Sequence, residues 1–510
     1  MVVVPLTSTT HLPTPSVVEA PAPTRRSGAQ VRRVYWTRWW VAAVVSLLSA
    51  QQCAIWLTFG PISQEATTFY GIDNATVALF SAYGQIAFLP FAPLVALLLD
   101  KGGLRVTVVV GCLVDLVGAA VRCAAVGPSG VWAIHLGQFL NGIVGCVVLI
   151  APAKISQVWF PPHERATATS LVTLANYAGL AVGFILVPWQ TSTWGVVAML
   201  RQWAVIAAVT TVAAIAYFPA VPRTPPSASA ALAPEPFVTG LRALLTNRHV
   251  LLLCLACGLP NGFAGAFNSV ISIILSPAPW NLTDSVSTSG GAATMLQSSA
   301  WLGMWAAVAG VIGGMFIAPL VDRTRKYKAA LGLLCTATAA SSTWFLLTVQ
   351  GFIPGGAGAV YAAVIATSLF INPTLPLFVE LACEIAYPTS ASTVDAVVQF
   401  FFNAFGLVFQ VIGMASSVFN TAPTTMAWLT PAAAAAALIL LFLVRDEHKR
   451  LALDAHGAGG GAGSGSGTGG GGGGGMLDGD LEADTDADIL SDTAAAKRHL
   501  LHDYDHDAIN

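Results

Sequence analysis

The stretch LLLDKGGLR, residues 97–105, sets Asp100, Lys101 and Arg105 around two glycines at the junction of two apolar runs. Each run is about 20 residues long, enough to cross a ~30 Å hydrocarbon core as a helix. Charge is scarce elsewhere: of 510 residues, 55% are hydrophobic and 9% charged. Such a chain has too little polar surface to cover a soluble fold and reads as an all-α membrane protein. The net charge of −2 then means little, and the placement of each charge means more.

Working outward from that junction, the apolar runs predict twelve membrane helices between residues 37 and 444. Arg25, Arg26, Arg32, Arg33 and Arg38 precede the first, and Arg445, Lys449, Arg450, Lys497 and Arg498 follow the last. Lys101, Arg105, Lys154, Arg165, Arg223, Arg242, Arg248, Arg323, Arg325, Lys326 and Lys328 fall in or beside loops on that same side. Of the 23 basic residues only Arg122 and Arg201 fall near the other side. The excess of Lys and Arg in cytosolic loops therefore predicts that both termini are cytosolic. The sequons Asn74-Ala75-Thr76 and Asn281-Leu282-Thr283 land in loops on the opposite side, which makes Asn74 and Asn281 candidate glycosylation sites.

The opening stretch recurs as PLVDRTRKYK, residues 319–328, between the eighth and ninth spans. Aligning Asp322 with Asp100 superposes a helix end, an acid and the bases that follow. The chain then divides into an N-terminal segment at 1–34, a six-helix half at 35–219, a cytosolic linker at 220–248, a second six-helix half at 249–445 and a disordered Gly-rich and acidic tail at 446–510. An acid and bases at a helix end can pair with neighbouring helix ends in one conformational state and release them in the other. Asp100, Lys101, Arg105, Lys154, Glu164, Arg165, Asp322 and Arg323 are the expected gate residues.

Asp-Lys-x-Gly-x-Arg after the second span and Asp-Arg-x-x-Arg-Lys after the eighth resemble the loop signature of the major facilitator superfamily. Trp56-x-x-x-Gly60-Pro61-Ile62, Arg122-Cys123, Gly137-Gln138-x-Leu140-Asn141-Gly142, Trp159-Phe160-x-x-x-Glu164-Arg165-Ala166-Thr167-Ala168-Thr169 and Glu380-x-x-x-Glu384-x-x-Tyr387-Pro388 narrow the likeness. Together they resemble the feline leukaemia virus subgroup C receptor-related family, solute carrier 49, and most of all its disrupted in renal carcinoma protein 2 branch. The resemblance implies twelve transmembrane helices in two pseudo-symmetric halves that move haem, choline or a related small solute. For that branch it implies proton-driven movement of pyridoxine across the lysosomal membrane. The chain departs from the family after Tyr387-Pro388, where Ala391-Ser392-Thr393 stands in place of an acid and a glycine before a threonine. Where the choline-carrying members build a cage from Trp, Tyr and two glutamines, this chain keeps Trp56 and has Asn268, Tyr177 and Asn403.

The residues themselves give a compatible site. Polar and aromatic side chains at midplane depth are the expected substrate contacts: Gln52, Trp56, Gln138, Asn141, Asn176, Tyr177, Asn268, Asn372, Gln399 and Asn403, with Asn261 in the same polar set. Gln52 and Trp56 share a helical face at i,i+4. Each amide is equally at home in helix-to-helix hydrogen bonding, so that reading stays open. No base lies at this depth, which suits a small polar or aromatic solute better than a multiply charged anion.

Three acids in apolar surroundings, Asp115, Glu380 and Glu384, must be paired, protonated or facing water, and are candidates for proton coupling or gating. Asn372-Pro373-Thr374-Leu375-Pro376 should break the tenth span and line the pathway. The eight cysteines, Cys254-x-x-Cys257 included, read as packing residues, and no cofactor or metal is expected. Leu500-Leu501 has Ala496 where a dileucine address carries an acid, so that motif does not supply a lysosomal signal. No phosphate loop or catalytic constellation occurs, which argues against an enzyme, a pump driven by ATP or a nucleic-acid partner. The expected partners are a small-molecule solute, the lipid bilayer and, as an open alternative, protons. The expected form is a functional monomer in the lysosomal or plasma membrane, and a non-transporting receptor or sensor on a carrier fold is the alternative.

Overall fold

The computed structural model describes residues 34–231, 235–275, 299–415, 427–445 and 448–459. These lie in one compact unit, Met1–Gly461; the second unit, Ala462–Asn510, falls outside the described residues, as does Asn281. The first half comprises α1 (Thr37–Leu57), α2 (Ser63–Tyr70), α3 (Asn74–Lys101), α4 (Gly103–Arg122), α5 (Val131–Trp159), α6 (Arg165–Trp194) and α7 (Val196–Ala216). A connecting segment carries α8 (Ala228–Ala231) and α9 (Phe237–Thr246). The second half comprises α10 (Arg248–Leu275), α11 (Ser299–Thr324), α12 (Tyr327–Val349), α13 (Ala357–Ile371), α14 (Thr374–Ile385), α15 (Ala391–Ala415) and α16 (Leu429–Leu443), followed by α17 (Lys449–Gly459).

Among the described residues, eleven helical spans are long and apolar enough to cross a membrane, with α13 and α14 counted as one, and α16 is a shorter apolar helix at the twelfth position. Large apolar side chains face outward along the flanks, among them Phe316, Leu333 and Phe442 at 76%, 72% and 83% exposure. Lipid tails suit such a surface, and the helices satisfy their own backbone hydrogen bonds within it.

The halves repeat one another. Helix α1 packs on α6 as α10 packs on α15, and the halves meet where α6 lies against α11 and α15 lies against α3. Gly179 permits the first of these crossings, since a Cβ there would meet the Ala50 carbonyl oxygen at 1.9 Å. The repeat extends to the turns. Three residues beyond Asp100, Gly103 has φ +78°, and three residues beyond Asp322, Arg325 has φ +58°. Both halves thus leave the acid through one left-handed residue, a conformation that glycine adopts freely and that a side chain disfavours.

The tenth span breaks between α13 and α14 at Asn372 and Pro373. The hydroxyl of Thr374 donates to the Ile371 carbonyl at 2.6 Å and receives a hydrogen bond from Asn261 Nδ2 at 3.0 Å, which ties the break to α10. The sequence placed a disordered tail from 446 onward, whereas residues 449–459 form α17. Its Arg450 and Asp454 are i,i+4 on one face and are 1% and 5% exposed, so that face docks on the bundle. The connecting segment is likewise partly ordered, with Leu244 of α9 buried in the core of the second half.

Candidate functional site

A cavity lies between the halves, walled by α1, α3, α5 and α6 on one side and α10, α14 and α15 on the other. Six of the expected substrate contacts line it: Gln52, Trp56, Asn176, Tyr177, Asn268 and Asn403. The four positions that stand in for the family's cage are all among them. Phe88, Phe184 and Phe402 add aromatic faces, Gln85 and Thr173 add polar ones, and no charged side chain belongs to the lining. A Phe or Thr in an apolar helix carries no signal that separates lining from packing, whereas the rule that points to Gln52 applies equally to Gln85, which the sequence reading leaves out.

Trp56 is held in place from two sides. Its Nε1 donates to the Ser81 carbonyl at 2.7 Å, and its ring lies against Gly84, where an added Cβ would meet Nε1 at 2.7 Å. Gln138 lies behind it rather than in the cavity, donating to the Trp56 and Phe80 carbonyls at 3.1 and 3.4 Å. Asn372 also misses the cavity, since its side chain packs on Gly310 of α11. Gln399 reaches across the halves to the Leu149 carbonyl at 3.4 Å. These three expected contacts lie outside the cavity lining, and of the broken tenth span only Leu375 reaches the cavity.

Asn141 stands one layer behind the wall. Its Nδ2 donates to Asp115 Oδ1 at 3.2 Å and to the Gln52 carbonyl at 3.3 Å, while its Oδ1 accepts from Gln52 Nε2 at 3.1 Å. Gln51 Nε2 donates to the other Asp115 oxygen, and Thr210 donates to Gln51 Oε1 at 2.6 Å. Asp115 is therefore solvated by amides instead of a base.

At one end of the bundle, acids from each half bind the helix starts of the other. Asp100 at the end of α3 accepts from Ser390 at 2.5 Å, Thr393 at 2.9 Å and Ser392 at the start of α15, and pairs with Lys154 at 3.1 Å. Asp322 at the end of α11 accepts from the Ala166 and Thr167 amides at 3.0 and 2.7 Å and from the Thr167 hydroxyl at 2.6 Å, all at the start of α6. A carboxylate at a helix N-terminus meets unsatisfied N–H groups and the positive end of the dipole. Of the other expected gate residues, Glu164 pairs with Arg38 at 2.8 Å and Arg165 pairs with Asp454 at 2.9 Å. Lys101, Arg105 and Arg323 are exposed and take no part in holding either acid.

Glu380 and Glu384 sit beside these contacts. Glu380 accepts from Ser156 at 2.7 Å and from Thr169, both in the first half. Arg450 of α17 pairs with Glu380 at 2.6 Å and with Glu384 at 2.7 Å. Burial works against the charge on Arg450, but Glu384 and Glu380 outweigh it and hold the guanidinium well above its ordinary pKa. Arg450 and Asp454 were not foreseen as gate residues, although their i,i+4 spacing just past the last span was a usable signal. Asp395, a buried acid of α15 whose Oδ1 has no hydrogen-bond partner, was also missed. The rule that singled out Asp115 applies equally to it.

The Major Facilitator Superfamily profile matches residues 44–410. The chain is 32% identical to the solute carrier family 49 member 4 homolog of Xenopus tropicalis over 452 residues, covering 84% of this chain and 95% of that protein. It is 29% identical to solute carrier family 49 member A3 of the same organism over 394 residues, 74% and 78% of the two chains. A choline/ethanolamine transporter of Felis catus is 28% identical over 426 residues, 79% and 72% of the two chains. Helical repeat, cavity and relatives agree: the chain belongs to the major facilitator superfamily of transporters and, within it, to solute carrier family 49.

Proposed function

We propose that this transporter moves a small neutral or singly cationic organic solute by alternating access. The observation that carries this reading is a cavity between the halves whose lining is aromatic rings and amides with no charged side chain, together with acids that bridge the halves at one end of the bundle. A pyridoxine-like ring can stack on Trp56 or Tyr177, and an ammonium such as choline or ethanolamine can face them. Haem fits poorly, because the lining has no base to balance its propionates. Among the three acids singled out from the sequence, Asp115 is the one with no ion-pair partner, so we assign proton coupling to it and a gating role to Glu380 and Glu384. We place the clasped end in the cytosol with both termini, and the Asn74 and Asn281 sequons, as glycosylation sites, on the opposite side. The membrane is that of the lysosome or the cell surface, and one chain suffices because it supplies both walls.

The test is uptake of pyridoxine, choline and ethanolamine into vesicles holding the full chain, with and without a pH gradient. Saturable flux of one of them, stimulated by the gradient, is expected; no flux of any of them contradicts the reading. A sensor is the second reading, because α17 joins the gate directly to the glycine-rich segment and acidic tail. Flux that survives removal of residues 460–510 disposes of it.

Trp56→Ala should raise the half-saturation concentration about tenfold, equivalent to about 1.4 kcal/mol, within the range of a single stacking or cation–π contact. Flux against substrate concentration reads this directly. An unchanged value would return Trp56 to a packing role.

A further inference from the structure

We propose that Gln85 of α3 recognises the solute itself: its side-chain oxygen takes a hydrogen bond from a hydroxyl or N–H group of the molecule in the cavity, which makes Gln85 the residue that selects solutes carrying such a donor. This rests on the carrier reading above.

The position comes first. Gly84, Gln85 and Phe88 lie on one face of α3, and all three line the cavity. One turn earlier on the same helix, the Ser81 carbonyl holds the Trp56 indole at 2.7 Å. Gln85 therefore stands beside the ring that a solute stacks on or faces. It also lies across the seam between the halves. A Cβ added at Gly406 of α15 would sit 3.8 Å from Gln85 Nε2 and would meet the Gly262 carbonyl oxygen of α10 at 3.4 Å. A polar side chain of the first half thus rests against bare backbone of the second.

Three other amides of the lining are already committed. Gln52 Nε2 reaches the Asn141 carbonyl at 3.3 Å, Asn176 Nδ2 reaches the Ser49 carbonyl at 3.3 Å, and Asn403 Nδ2 reaches the Gln399 carbonyl at 2.9 Å. A backbone carbonyl only accepts hydrogen bonds, so each of these amides is fixed with its nitrogen toward the wall. Gln85 is different. It is 9% exposed, its Oε1 is buried without a hydrogen-bond partner, and no carbonyl among the described residues fixes its nitrogen.

An acceptor shut away from water without a donor bears the full cost of its lost hydration. A solute acceptor that meets Nε2 leaves that cost in place. A solute hydroxyl or N–H that meets Oε1 removes it, so the amide favours a donor. Nothing holds the amide, and its last torsion is broad, so the oxygen is free to turn to the solute. Trp56 then supplies the flat face and Gln85 the polar point that fixes how the solute lies on it.

Purified full-length protein is titrated with choline and its O-methyl ether, and with pyridoxine and each of its mono-O-methyl ethers; thermal stabilisation gives each dissociation constant. Every ether lacks a single donor hydrogen of its parent. Wild type should hold at least one parent about tenfold more tightly than its ether, the size of one hydrogen bond in a closed site. Gln85→Met, which keeps the length of the side chain and removes both polar ends, should bring that ratio to within about twofold of unity. A packing role for Gln85 would weaken parent and ether together and leave the ratio intact, and so would simple steric rejection of the methyl group. Gln85→Leu carries the same test if Gln85→Met gives no unfolding transition. No discrimination by wild type, a ratio that survives in the folded variant, or binding of none of these compounds overturns the proposal. If vesicles move solute in any of those cases, the carrier reading stands without Gln85; if nothing binds and no solute moves, both fall.

Discussion

Arg450→Ala should shift the protein out of the clasped state by more than about a hundredfold. The guanidinium is almost fully buried between Glu380 and Glu384, at 2.6 and 2.7 Å, and its loss leaves two carboxylates in a site closed to water. Removing one partner of a buried ion pair costs about 3 to 5 kcal/mol, because the remaining charge has lost its compensation. At 1.4 kcal/mol per factor of ten, that exceeds the gap that separates the working states of most switching proteins. The reporter is Cys383, a buried thiol of α14, which should become reactive to a thiol reagent as the clasped end opens. Adding Glu380→Gln and Glu384→Gln to Arg450→Ala should recover part of the protection, since no unpaired charge then remains. Cys383 reactivity and flux equal to wild type in Arg450→Ala would show that α17 is an ornament on the gate.

Asp100→Asn should slow flux at least about tenfold at equal abundance in the membrane while leaving the chain folded. The carboxylate gathers three hydroxyls at the start of α15 and the Lys154 ammonium, and hydrogen bonds to a charged group contribute about 1.5 to 3 kcal/mol each. An amide keeps the shape but offers one acceptor oxygen and no charge. The loss falls on one conformational state, so it changes the balance between states more than it changes folding. Undiminished flux would remove Asp100 from the gate.

The two acids were visible in the sequence because each follows an apolar run at the same place in its half, and the left-handed residue three positions on confirms that Asp100 and Asp322 are equivalent. Their partners were less visible. Lys101, Arg105 and Arg323 stand beside the acids in the chain, yet a helix end turns consecutive side chains in different directions, and these three face outward. Apart from Lys154, which pairs with Asp100, the partners are helix starts and hydroxyls some 150 or 290 residues away along the chain. No local pattern predicts those.

The cavity divides in the same way. Trp56, Gln52, Asn176 and Tyr177 were found because polar and aromatic groups at midplane depth are costly unless used. Gln138, Asn372 and Gln399 satisfy the same rule by binding carbonyls or packing on a glycine of a neighbouring helix, and sequence alone does not separate the two uses. By composition the segment 449–459 reads as tail, because it is polar and its neighbours are rich in glycine. What orders it is the pairing of Arg450 and Asp454 with groups from both halves, a tertiary effect invisible in composition.

The central claim is that Asp100 and Asp322 hold one end of the bundle shut in one state and release it in another. Lys101 and Arg323 are exposed on opposite halves beside those acids, so spin labels at Lys101→Cys and Arg323→Cys report the gap without touching the contacts. Pulsed electron spin resonance on the full chain should give two separations, with the shorter dominant. Adding Asp100→Asn and Asp322→Asn should transfer most of the population to the longer one. A single separation, unchanged by those substitutions, would contradict the account.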